Sequence, residues 1–417
     1  MTAPQAPANT RPPLRSLDEA LAELLTHALP LAATDTVSTF DADGRVLAQD
    51  VVSSLQVPPE DNSSMDGYAV RAAEVQDASR AVRVSQRIPA GSSGSPLEPG
   101  TVARIFTGAP VPAGADAIVM QEDTEAASGQ EGFVRITQAP KPSQWIRRAG
   151  EDVTRGATVL SKGERLSPAA LGLAASIGMD VLQVAKKPRV ALFSTGDELV
   201  MPGDVPPEQM RPGAIYNSNR FFLRALLLRL GCEVTDLGIV PDQRDATLDA
   251  LRSASQAHEL ILTSGGVSVG EEDHIKPAVQ QLGSLDLWQI AIKPGKPFAY
   301  GRVGAAHFIG LPGNPVSSFI TFLVLVRPFL LKLQGARELA PPPLAMTAHF
   351  DWPRADKRRE FLRVRRNAAG GLELFANQSS GVLTSAVWGD GVIDNPAGQV
   401  IRHGDTVQFL PFSALLG

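Results

Sequence analysis

Between Lys187 and Leu333 the chain alternates short apolar runs with helical patterns, and no other feature constrains its fold as tightly. The spacing predicts strands over Val190–Phe193, Glu233–Leu237, Leu260–Thr263 and Phe308–Gly310. It predicts a helix running from a Ser218-Asn219 cap to Leu230, and others over Asp245–Ala257, Ile275–Leu282 and Val316–Leu333. Strand–helix–strand units cross over with one hand, so a run of them builds a parallel sheet with helices on both faces. The expected fold class is α/β multidomain, with a doubly wound, mostly parallel sheet at its centre. Ligands of such a sheet sit beyond the carboxyl ends of its strands, which says where to look for chemistry.

At 417 residues the chain exceeds one core and calls for two to four domains. Ser16-Leu17-Asp18-Glu19 is a capping box ahead of Leu21, Leu24, Leu25 and Leu29, a helix that ends before Pro30. From Asp50 to Asp152, β-like runs (Tyr68–Val70, Ala81–Val84, Ala117–Met120, Phe133–Ile136) alternate with Gly, Pro and Ser turns. Pro168–Ile177 reads as a further helix. After Pro341-Pro342-Pro343, short strands with Gly and Asn turns suggest a small barrel or sandwich.

Hydrophobic residues make up 43% and charged ones 20%, with a net charge of −5 and no basic stripe, so nucleic acid is not an expected partner. The single cysteine, Cys232, excludes an internal disulfide framework and a cysteine-based zinc site, and reads as buried and inert. Residues 1–13 have no apolar run and resemble a disordered tail, not a signal peptide. Phe319–Leu333, interrupted by Arg327-Pro328, falls short of the roughly 20 residues a membrane span needs and is expected to be a buried helix. The expectation is a soluble, cytoplasmic protein without a membrane partner.

Polar residues cluster where the predicted strands end. The first is followed by Asp197 and Glu198, and the second by Asp242. The third runs into a glycine loop containing Gly265, Gly266, Ser268 and Gly270, then Glu271, Glu272 and Asp273. The fourth leads into Leu311–Ser317 (LPGNPVS), whose prolines fix a loop carrying Pro312, Asn314, Pro315 and Ser317. The topology sends all four loops to one crevice. Glycines there let backbone N–H groups approach a phosphate, although no GK[ST] follows to make a P-loop. Carboxylates beside a phosphate repel it unless a hard cation lies between, and Mg²⁺ with oxygen ligands meets that need. Singly, each acid serves as well for a helix cap, Asp273 above all; the convergence favours chemistry.

Lys293-Pro294-Gly295-Lys296-Pro297 sets lysines on a proline-stiffened turn, either cations for an oxyanion or an idle surface turn. Asp66 in NSSMDGY and Thr107 in IFTGAP stand in Gly-bearing loops, where local turn bonding is the alternative to function. The histidines show no metal-ligand spacing, and HExxH, GxSxG and GxGxxG are all missing. Zinc hydrolase, elbow-type serine hydrolase and dinucleotide readings are therefore disfavoured.

With these segments assembled, the chain resembles the MoeA family, the molybdopterin molybdenumtransferases, to which the E domain of gephyrin is related. The likeness is carried by NSSMDGYAVR, FTGAPVPAGADAIVMQED, RRAGEDV, STGDEL, IYNSN, TSGGVSVGEEDH, AIKPGKPFAYG and GLPGNPVSS, in family order. It implies insertion of molybdenum from molybdate into adenylylated molybdopterin, with release of AMP and assistance by Mg²⁺. It implies that Glu198, Asp242 and Asp273 hold the metal, that Lys293 and Lys296 stabilise phosphate or molybdate oxygens, and that Asp152 contributes from the domain junction. Ser379 and Ser380, with Arg359 or Arg363, are weaker candidates for the oxyanion. The resemblance also implies an elongated homodimer in which Asp66 and Thr107 face the partner's crevice, and it allows docking of a molybdopterin adenylyltransferase. Gln289 departs from a lysine found in some relatives, and the stretch Pro202–Pro212 is longer than the pattern.

The resulting division is a connecting domain (14–57 plus 153–186), a β-rich domain (58–152), an α/β molybdopterin-binding domain (187–335) and a C-terminal β-barrel domain (340–417). Molybdopterin adenylyltransferases and CinA-like proteins share the TSGG-bearing unit and are the alternative reading, but they usually lack the NSSMDGYAV and FTGAPVPAGAD segments. A non-enzymatic scaffold is the other alternative; it calls for an added partner-binding domain or long linker, and none is visible.

Overall fold

Six strands, two more than the spacing predicts, form the central sheet. In the computed structural model, which describes residues 14–266 and 274–416, they are Arg189–Thr195, Glu233–Val240, Leu260–Ser264, Gly283–Gln289, Pro297–Val303 and Ala306–Leu311. Across the sheet they stand in the order second, first, third, sixth, fifth, fourth. The second, first, third and sixth pair in parallel, and the fifth and fourth join antiparallel. Asp286 and Ser284 dilute one unforeseen strand, while Pro297 and Gly301 punctuate the other, so neither reads as an apolar run. The third and sixth strands are buried at every residue, as befits strands covered on both sides.

Alternate side chains of the first strand serve two cores. Val190 and Leu192 join Asn219–Arg229 and the long helix after Pro315, whereas Ala191 and Phe193 join Arg244–Ala257 and Ile275–Leu282. The N-terminal helix Leu17–His27 has its capping box: Glu19 N donates to Ser16 Oγ at 3.2 Å, and Ser16 N to Glu19 Oε2 at 3.0 Å. Leu17, Ala20 and Leu24 nevertheless pack into the α/β core, not into the connecting domain that the sequence suggested. The expected Ser218 cap is also corrected, because Ser218 is already helical and Asn217 Oδ1 accepts from Arg220 N at 3.3 Å instead.

The segment from Pro315 to Leu333 is helical throughout, with a π turn over Phe322–Val326. Pro328 cannot donate to the preceding turn, and the wider turn lets Arg327 N bond to Phe322 O. By length and composition this helix could cross a membrane, yet most of it is buried inside the protein. Its Arg327 guanidinium is buried too, and is satisfied by the carbonyls of Leu339, Ala414 and Leu415.

Upstream, a six-stranded mixed sheet carries Gly67–Val70 between Ala117–Met120 and Thr101–Ile105, with apolar clusters on both faces. Thr34–Ser38 pairs with Val181–Ala185, and Val51–Val52 with Thr158–Leu160, so two distant stretches share one core around Leu47, Val153 and Leu182. At the C-terminal end a curled sheet runs Ile292–Lys293, Arg359–Arg366, Gly391–Asn395, Thr406–Pro411, Leu344–Thr347. Its first strand comes from the α/β region, which ties the lysine turn to this sheet.

Candidate active site

A cavity of about 650 Å³ opens at the carboxyl ends of the parallel strands. Thr195 from the first strand, Ser264 and Gly265 from the third, and Pro312 and Gly313 after the sixth all line it. Asn219 locks these ends together, donating through Nδ2 to Ser264 Oγ and to Gly313 O, both at 2.7 Å. Gly265 N donates to Leu311 O at 3.0 Å. Gly266 has φ +67°, and a Cβ there would lie 2.4 Å from Ile275 Cδ1, so the turn presses against its helix only as glycine. Asn314, Pro315 and Ser317 complete this wall. The residues flanking Pro202–Pro212 form another. Leu199, Ile215 and Tyr216 line the cavity, and the Tyr216 hydroxyl donates to Val205 O at 2.6 Å.

Glu198 is the one charged side chain among the described residues lining this cavity. Its carboxylate folds back over Gly196, where a Cβ would stand only 2.7 Å from Oε2.

A second cavity, of about 320 Å³, shares Pro297, Asn314 and Ser317 with the first. Lys293, Lys296 and Arg358 line it together with Gln378, Ser379 and Ser380. The lysine turn is pressed onto the long helix: Gly295 has φ +117°, and a Cβ there would lie 2.4 Å from Thr321 Oγ1. From the other side, Val316 N donates to Ser380 O at 2.9 Å and binds the C-terminal domain to the same corner. Lys293 Nζ donates to Glu360 Oε1 at 3.0 Å and lies 3.3 Å from Asp356 Oδ2. Arg358 grips Asp356 through Nε and NH2 at 3.0 and 2.9 Å. That guanidinium, with Lys293 adding to it, holds the Asp356 carboxyl far below the usual carboxylate range despite partial burial.

The arginine at this cavity is Arg358, and neither of the two expected from the sequence. Arg359 is spent on Asp394 and Asp18. Arg363 is 1% exposed and donates to Phe361 O, Ser385 Oγ and Ser379 O, with its pKa pushed down to about 10 by burial. Asn217 and Asn219 also went unassigned, although IYNSN was visible. Asn217 is 2% exposed, lines the larger cavity, and its Nδ2 has no partner among the described residues.

Other expected residues stand elsewhere in the chain. Asp66 and Thr107, 41 residues apart, meet at the surface of the β-rich domain. Asp66 Oδ1 accepts from Thr107 N and from Thr107 Oγ1, each at 2.8 Å, and these bonds lower the Asp66 pKa. Neither residue lines the two cavities within one subunit. Asp152 is exposed, Asp242 is half-buried after the second strand, and neither lines them. Ser268, Gly270 and Asp273, like the expected tail at 1–13, lie outside the described residues. Among the described residues no three His, Cys, Asp or Glu side chains gather as metal ligands. Of the expected trio, Glu198 lines the cavity, Asp242 does not, and Asp273 lies outside the described residues; one carboxylate beside substrate phosphates and water is a donor set that fits Mg²⁺. Cys232 is buried, and burial pushes its thiol up to about 12, consistent with an inert thiol.

Comparison with known proteins covers nearly the whole chain. Residues 15–178 match the MoeA N-terminal region (domain I and II), 191–332 a probable molybdopterin binding domain, and 345–412 the MoeA C-terminal region (domain IV). A molybdopterin molybdenumtransferase of Haemophilus influenzae is 38% identical over 410 residues, covering 96% of this chain and 100% of that protein. Molybdopterin molybdenumtransferase 2 of Mycobacterium tuberculosis is 38% identical over 406 residues, covering 92% and 96%. The crystal structure of a molybdopterin biosynthesis moeA protein from Pyrococcus horikoshii superposes with a TM-score of 0.82 at 28% identity, over 95% of this chain and 99% of that one.

Proposed function

The chain belongs to the MoeA family of molybdopterin molybdenumtransferases, and from that membership we propose how its two adjoining cavities divide the work. The protein is an enzyme that inserts molybdenum in molybdenum cofactor biosynthesis. We assign the larger cavity to adenylylated molybdopterin and the smaller to molybdate. The observation that carries this reading is the shared wall of Pro297, Asn314 and Ser317. Across it, an oxyanion held by the lysine turn would lie beside a pterin dithiolene held at the strand ends.

Among the described residues the lining of the larger cavity carries a single charge, on Glu198, and suits a ligand bound by hydrogen bonds and backbone N–H groups. The cations of the smaller cavity suit a tetrahedral dianion. Molybdenum passes to the dithiolene, and hydrolysis of the pyrophosphate linkage releases AMP. Glu198, at the wall of the first cavity, would hold or orient the water. Mg²⁺ is proposed on the phosphate side, where Glu198, Asp242 and Asp273 are the candidate ligands and the ion would neutralise phosphate charge. Treatment with EDTA should abolish AMP release and added Mg²⁺ restore it; undiminished release after chelation removes the metal from the reading.

We read the enzyme as a cytoplasmic homodimer in which Asp66 and Thr107 reach the partner's crevice, and as a candidate to dock an adenylyltransferase. We also read the curled C-terminal sheet as a barrel closed across the Ala348–Leu372 bridge. Incubation with adenylylated molybdopterin, molybdate and Mg²⁺ should yield molybdenum cofactor and AMP together. AMP without cofactor would reduce the activity to nucleotide hydrolysis.

A further inference from the structure

Resting on the assignment of molybdate to the lysine turn, we propose that Asp356 is a positioning residue: it withholds the charge of Arg358 from the oxyanion and leaves Lys296 as the cation that meets it. The three cations lining the smaller cavity are not equivalent. Behind Lys293 stands Glu360, 1% exposed, with Oε1 accepting from Lys293 Nζ at 3.0 Å and Oε2 from Trp352 Nε1 at 2.9 Å. A carboxylate buried that deeply needs its counterion, so the Lys293 charge is cancelled where it stands. Asp356 does the same for Arg358: Oδ1 accepts from the backbone N and from Nε, both at 3.0 Å, and Oδ2 accepts from NH2 at 2.9 Å. The two carboxylates and two cations form a neutral quartet.

Neither Asp356 nor Glu360 lines the cavity, whereas Lys293 and Arg358 do. The cations therefore face the ligand with their neutralising partners behind them. Lys296 lines the same cavity and has no ion-pair partner among the described residues. An entering dianion meets one uncompensated charge plus the donors of Gln378, Ser379 and Ser380. Three bare cations would trap the dianion, and tight binding of a ground state lowers the half-saturating concentration without raising the rate. Molybdate must leave this cavity across the shared wall, so loose holding serves turnover.

The test is equilibrium binding of molybdate alone to the purified full chain, alongside turnover. Asp356→Asn keeps the shape and removes the charge; it should tighten molybdate binding about tenfold and lower the rate at saturating molybdate. Asp356→Glu, which keeps the charge, should stay near wild type. Unchanged or weaker binding by Asp356→Asn overturns the proposal. A second comparison does not depend on that variant folding: Arg358→Gln should weaken binding much less than Lys296→Gln, and an equal loss overturns the proposal as well. If wild-type chain binds no molybdate, the assignment of the cavity fails together with the proposal. Binding that ignores Asp356 fails the proposal alone.

Discussion

At Gly196 the backbone takes φ +140°, and the missing side chain leaves room for the Glu198 carboxylate to fold back. A methyl group there would sit 2.7 Å from Oε2, and a displaced catalytic group commonly costs two orders of magnitude. Gly196→Ala should therefore reduce AMP release by about a hundredfold while leaving molybdate binding in place, as measured by turnover and equilibrium binding. Turnover within a few-fold of wild type would remove Glu198 from the machinery. Glu198 and the glycine turn were legible because each follows a recognisable strand, and the lysine turn because two lysines stand on a turn stiffened by two prolines. Arg358 was not, since RREFLRVRR offers five arginines and only the pairing of Lys293 with Glu360 across Ile292–Lys293 and Arg359–Arg366 decides which faces the lysines. Asp66 and Thr107 were each legible as loop residues, whereas their mutual hydrogen bonds depend on a strand pairing that spacing does not encode.

Among the elements, the N-terminal helix shows most clearly what a periodic pattern conveys. Its apolar face was legible in the sequence; the surface it covers was not, because amphipathicity names a buried side and no partner. Its last residue, His27, stacks on Tyr300 at 4.6 Å, and Tyr300 bonds to the buried His307 at 3.0 Å. Burial, with Arg302 and His27 adding to it, pushes the His307 pKa down to about 4. His307 therefore binds fewer protons folded than unfolded as pH falls from about 6.5 to about 4, and stability is lost through that window. The loss amounts to about 3 kcal/mol at most. Urea midpoints at pH 7 and pH 4.5 should differ less in His307→Asn than in wild type, and an equal difference would clear His307 of the acid sensitivity. The two antiparallel strands at the sheet edge were illegible for a simpler reason. Their polar and Gly/Pro residues mask strands that only pairing stabilises, the fifth against the sixth and the fourth against the fifth.

At the scale of the molecule, the order of parts was readable from the motifs, but the approach of the lysine turn to the C-terminal sheet was not. It depends on a short parallel pairing of Ile292–Lys293 with Arg359–Arg366, distant in sequence and only two residues long. The Asp66–Thr107 pair lies outside both cavities of its own subunit, and the proposed homodimer gives it a crevice to complete. Mixing Asp66→Ala and Glu198→Ala subunits should then restore part of the turnover that each variant lacks, because half of the crevices in a mixed dimer would be intact. No restoration would confine each site to a single subunit. Two cavities with one wall divide the labour, and the half-saturating molybdate concentration of Lys296→Ala reads that division out. It should rise at least about tenfold with the half-saturating concentration of adenylylated molybdopterin unchanged. A rise in the pterin value with molybdate unaffected would contradict that division.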